Sequence, residues 1–155
     1  LLLPLVMTGA DQGTALHVRE CVNHLGLIDN VHMLGFVPQE DFTALYQKAF
    51  ALTYVSFFGP DNLPPLEAFA LGCPVIAADV PGAREQLGDA AILVNPRDPN
   101  SIANAILSLH NNPHLRRSLI EKGRERSGKW SHLDYLRAIV SIIDEFEPIR
   151  RCWAR

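Results

Sequence analysis

Short apolar runs alternate with amphipathic stretches through the first two thirds of the chain. "PLVMTG" is apolar throughout and ends on a turn residue, Gly9, so it reads as a buried strand. "TALHVRECVNHLGL" places Leu16, Val18, Val22 and Leu25 near helical spacing, with Gly26 as C-cap. The same alternation repeats: strand "VHMLGFV", helix "PQEDFTALYQKA", strand "FALTYVSFF", short helix "PPLEAFALG", strand "PVIAADV", helical turn "GAREQLG", strand "AAILVNP". Then the strands stop. Asp98 or Asn100 can cap a helix through "SIANAILSLHNN", and "HLRRSLIEKGRERS" and "HLDYLRAIVSIIDEF" read as two more. In the last, Leu133, Leu136, Val140 and Ile143 step by three and four.

The strands are continuous apolar runs, the pattern of strands covered on both faces. The expected fold class is α/β: a doubly wound (Rossmann-like) parallel sheet flanked by helices, with a helical C-terminal segment. One domain over residues 1–147 is expected, followed by a tail over 148–155 without clear pattern. A strand almost at residue 1 reads as a fragment truncated on its N-terminal side.

Composition narrows the class. The 155 residues are 48% hydrophobic and 20% charged, ordinary for a globular domain. A formal net charge of −3 gives no electrostatic case for nucleic acid. No apolar run reaches the ~20 residues of a membrane span. "LLLPLV" lacks the basic flank of a signal peptide. Cys21, Cys73 and Cys152 are distant from one another and form no C-x-x-C pair, so they suggest neither zinc nor disulfides. Inert thiols in a reducing cytoplasm are expected.

In such folds ligands bind beyond the carboxyl ends of the strands. The loops there are "TGADQG", "GFVPQE", "FFGPDNLPP", "DVPGARE" and "NPRDPNS". In "GPDNLPPLE", Pro64 and Pro65 are tolerated only in the first turn of a helix, where N–H groups lack partners anyway. They fix a helix start with Asn62, or Asp61, as N-cap, and leave the amides of Asn62, Leu63 and Leu66 near an anion-favouring end. The prolines equally well shape a tight strand-to-helix turn and nothing more. Glu67, about one turn in, is either a solvated carboxylate favoured by the helix dipole or an acceptor for a ribose diol. In "VHMLGFVP", Phe36 is either a core residue at a strand end or, with Gly35 and Val37, backbone that meets a base.

Several chemistries lack their motifs: no G-x-G-x-x-G, no P-loop, no G-x-S-x-G, no H-E-x-x-H and no D-x-D. The six histidines are scattered. No metal site is expected.

In order, "LVMTG", "VHMLGFVP", the block from "AFALTYVSFF" to "NPRDPNSIANAI", and "KWSHLDYLRAIVSIIDEF" resemble the C-terminal domain of group 1 retaining glycosyltransferases of the GT-B fold. "LPPLEAFALGCPVIAADVPGAREQLGDAAILVNP" is the specific part. The resemblance implies a nucleotide-diphosphate sugar as donor substrate and no required cofactor or metal. It implies backbone at Phe36 and Val37 against the base, Glu67 on the ribose, and amides of Asn62 and Leu63 on the diphosphate. Where the family has a first glutamate, eight residues before the second, this chain has Gly59; Asp61 is the nearest carboxylate and the candidate donor-sugar contact. The implied reaction is hexosyl transfer with retention, in polysaccharide or glycoconjugate biosynthesis. The implied partner is an N-terminal acceptor domain of the same protein, without which the fragment is expected to be inactive. An unpartnered C-terminal helix would favour self-association. A cytoplasmic setting, including the inner membrane face through the full-length protein, follows from the same resemblance. A non-catalytic nucleotide or nucleotide-sugar binding module, or a GT-B-like sugar epimerase, shares the fold and stays open.

Overall fold

The computed structural model describes residues 3–58, 62–129 and 131–153. The elements follow in the expected order: β1 (Leu5–Thr8), α1 (Ala15–His24), β2 (Val31–Gly35), α2 (Gln39–Lys48), β3 (Leu52–Tyr54), α3 (Leu63–Ala70), β4 (Val75–Ala78), α4 (Ala83–Leu87), β5 (Ala91–Val94), α5 (Pro99–Asn111), α6 (Pro113–Ser127) and α7 (His132–Trp153). Two compact units divide at Leu45/Tyr46.

In the second unit, three parallel strands lie in the order β3-β4-β5, with Leu52 beside Val75 and Val75 beside Ala91. All four residues of β4 are buried, as expected for a central parallel strand. Ile76 of β4 and Val94 of β5 pack with Ala105 and Leu109 of α5 and Leu119 of α6 to form the core. α3 packs on α6 across Phe69 and Gly123. A Cβ at Gly123 would lie 2.7 Å from Phe69 Cδ1, so glycine lets the helices approach. Local signals set the helix ends. The Asn100 amide donates to Asp98 (3.0 Å), and the Leu115 amide donates to Asn112 (3.0 Å). Ser131 and Asp134 exchange bonds as a capping box at the start of α7.

In the first unit, β1 and β2 pair in parallel, Leu5 beside Val31, with a register shift between Met7 and Thr8. Here the expectation of covered strands fails. All four residues of β1 are exposed, and α1 has no buried residue. An apolar run gives a strand's presence, but burial depends on what packs against it.

Two more expectations are corrected. "FALTYVSFF" is strand only over Leu52–Tyr54; Phe57 and Phe58 lie exposed in the loop that carries the chain toward α3. The last helix runs on through Trp153, with Pro148 inside it. Its stripe of Leu133, Leu136, Val140 and Ile143 is exposed. Among the described residues, no helix is long and apolar enough to cross a membrane.

Candidate functional site

β3 and β4 end at Tyr54 and Ala78, and the chain between β3 and β4 forms α3. The start of α3 therefore lies at the carboxyl edge of the parallel sheet, where open α/β sheets bind ligands. Asn62 occupies the N-cap position, but its side chain accepts no capping bond. It sits at φ 42°, ψ 42°, the left-handed region that asparagine tolerates better than most residues. Pro64 and Pro65 fall within the first turn. Four amides normally go unpaired at a helix start, and here two of those positions carry no N–H. The amides of Asn62 and Leu63 are left, with no partner among the described residues. Gln86 of α4 donates its Nε2–H to the Asn62 carbonyl at 3.4 Å and ties the turn to α4. Tyr54, Ser56, Asn62, Pro65, Val80 and Ala83 help to line a cavity of about 10 Å³ beside this turn. That is room for about one water.

The strain at Asn62 gives a check on this geometry. Asn62→Gly is expected to leave stability within a few tenths of a kcal/mol, whereas Asn62→Val should cost about 1–2 kcal/mol by forcing a branched side chain into the left-handed region. Urea-unfolding midpoints compare the two; equal midpoints would contradict the backbone described.

Glu67 is exposed one turn into α3. Its Oε2 lies 3.3 Å from the hydroxyl of Tyr46, which is itself 3.4 Å from the carbonyl of Pro64. Tyr46 is buried, and burial, followed by the charge of Glu67, pushes its phenol far above the usual tyrosine range. It stays a proton donor at any working pH. The sequence reading missed Tyr46; its only signal was membership in the apolar face of α2.

The start of α1, by contrast, is occupied. One carboxylate oxygen of Asp11 accepts from the amides of Gly13 (2.8 Å), Thr14 (3.1 Å) and Ala15 (3.1 Å). Those bonds, Ala15's first, hold the Asp11 carboxyl below its ordinary range. The start of α1 is thus filled by the chain's own anion, and Asp11, not Thr14, caps it. At the ends of β4 and β5 the cations are engaged too. Arg84 forks onto Asp79 through Nε–Oδ1 (3.0 Å) and Nη2–Oδ2 (2.5 Å), and Arg97 stands 5.5 Å over the Phe57 ring.

The structure brings Asn62, Leu63 and Glu67 together on α3. Gly35, Phe36 and Val37 belong to the first unit. Gly35 ends β2 at φ 67°, and Phe36 is 87% exposed, which overturns its reading as a core residue. Gly59 and Asp61, the position of the missing glutamate and the candidate donor-sugar contact, lie outside the described residues.

The fold is shared with solved GT-B glycosyltransferases. A sucrose-phosphate synthase from Thermosynechococcus elongatus superposes with TM-score 0.74 at 27% identity, over 97% of this chain and 38% of that one. Anabaena HepE, solved in complex with UDP, superposes with TM-score 0.81 at 22% identity, over 92% of this chain and 41% of that one. The sequence gives the family. The model for glycosyl transferases group 1 matches residues 3–126, and this chain belongs to that family. The O-antigen chain mannosyltransferase RfbU of Salmonella typhimurium is 37% identical over 99 residues, 64% of this chain and 28% of RfbU. The chain thus spans less than half the length of each of these three relatives.

Proposed function

We propose that this chain is the donor-binding domain of a retaining glycosyltransferase that moves a hexosyl group from a nucleotide-diphosphate sugar to an acceptor in polysaccharide or glycoconjugate biosynthesis. The observation that carries this reading is the start of α3: two amides, Asn62 and Leu63, held by a proline pair, with Glu67 exposed one turn on. Asn62 and Leu63 donate to the diphosphate. The partial positive charge of the helix end favours the negative charge that develops on the leaving nucleoside diphosphate as the glycosidic bond to the donor breaks. Glu67 accepts from the ribose hydroxyls. Backbone at Gly35, Phe36 and Val37 meets the base. The acceptor site belongs to a further domain of the same protein, and the reaction needs both.

A calorimetric and thermal-shift panel tests this. UDP, GDP, ADP and their hexose conjugates are each titrated against the full-length protein. One nucleotide should stabilise it selectively, by about 2.7 kcal/mol at a hundredfold excess over its dissociation constant. A panel in which no nucleotide binds would overturn the reading.

A further inference from the structure

We infer that Tyr46 is a positioning residue for nucleotide binding: its hydroxyl holds the Glu67 carboxylate in the orientation that receives the ribose diol. The inference rests on the reading of Glu67 given above and adds a residue to it. The geometry is specific. Tyr46 lies near the end of α2, its ring is buried, and its hydroxyl reaches α3. There it meets two acceptors one turn apart, the Pro64 carbonyl at 3.4 Å and Glu67 Oε2 at 3.3 Å. The hydroxyl has a single proton, and a carboxylate is the stronger acceptor, so Glu67 receives it. Oε1 of Glu67 has no partner among the described residues and is left for a ligand. An exposed glutamate samples several rotamers, and ordering it on binding costs affinity. A buried, rigid donor at one oxygen fixes that rotamer beforehand.

The test reads discrimination, not affinity alone. Dissociation constants are measured on the full-length protein for UDP, GDP and ADP and for the 2′,3′-dideoxy form of each. Wild type should prefer the ribose form of its nucleotide. Tyr46→Phe keeps the buried ring and should reduce that preference roughly three- to tenfold, leaving the dideoxy affinity unchanged. In a Glu67→Ala background Tyr46→Phe should have no further effect on the preference, because its action passes through Glu67. Fluorotyrosine at position 46 keeps both ring and hydroxyl but makes a more acidic donor. It should change the preference without changing the dideoxy affinity, and it serves where Tyr46→Phe folds poorly. Equal weakening of ribose and dideoxy nucleotides by Tyr46→Phe would mean a merely structural role and overturn the inference. So would an unchanged preference in Tyr46→Phe alongside a lost one in Glu67→Ala; that result leaves the reading of Glu67 standing. A wild type without ribose preference, unaffected by Glu67→Ala, would overturn both.

Discussion

Phe69→Ala is expected to lower the melting temperature of this chain by roughly 6–20 °C. The side chain is 1% exposed and fills the contact between α3 and α6. Truncating a buried phenylalanine costs about 3–5 kcal/mol, from lost transfer energy and the cavity left behind. Each kcal/mol shifts the midpoint by about 2–4 °C at this chain length. Gly123 makes the prediction sharper. In the wild type, Gly123→Ala drives a Cβ to within 2.7 Å of the Phe69 ring, an overpacking that costs about 1–3 kcal/mol. In the Phe69→Ala background the same methyl enters vacated space, and alanine is then favoured over glycine in a helix interior by about 0.5–1 kcal/mol. The sign of the Gly123→Ala effect should therefore reverse between backgrounds. Circular-dichroism melts of the four proteins measure it; strict additivity would contradict the helix contact described. Because α3 carries the candidate site, the double variant should also recover nucleotide binding lost by Phe69→Ala near its midpoint.

The alternation of elements was legible in the sequence because the local signals agreed with one another. "PVIAADV" is apolar without alternation and became the fully buried β4. Asp98 before Pro99 became a side-chain cap. Pro64-Pro65 marked the start of α3 within a residue. Burial was not legible where it depends on a neighbour. "PLVMTG" and "PVIAADV" look alike as text, yet β1 is exposed and β4 is not. Phe36 and Phe57 read as strand residues and proved to be exposed loop residues, since an aromatic at a strand end carries no mark of which side it faces. At the site, Glu67 was visible from its spacing after the prolines. Tyr46 was not, because it precedes Glu67 by 21 residues and meets it only through tertiary packing. The occupied start of α1 was equally hidden from any count of helix ends; the bonds to Asp11 distinguish it from α3.

Glu67→Ala in the full-length protein is expected to cut glycosyl transfer about a hundredfold while leaving the fold intact. A carboxylate that accepts two hydroxyls makes two charge-assisted bonds, each worth about 1.5–3 kcal/mol, and part of that is returned when water replaces them. A net loss of about 3 kcal/mol corresponds to the hundredfold change. Stability should scarcely move, because Glu67 is exposed and its only side-chain partner among the described residues is the Tyr46 hydroxyl. That hydroxyl keeps the Pro64 carbonyl within 3.4 Å, so the substitution does not orphan a buried donor. Glu67→Gln separates charge from shape: it retains an acceptor oxygen and should lose about tenfold, because a neutral acceptor forms the weaker bond. The proposed ribose contact would form before the glycosidic bond breaks and persist afterward. The loss should therefore fall mainly on the donor KM and on UDP, GDP or ADP affinity, with kcat changed less. Donor-saturation kinetics beside calorimetric Kd values measure this split. A Glu67→Ala protein with wild-type KM and nucleotide affinity would remove Glu67 from the donor site, whatever its effect on kcat.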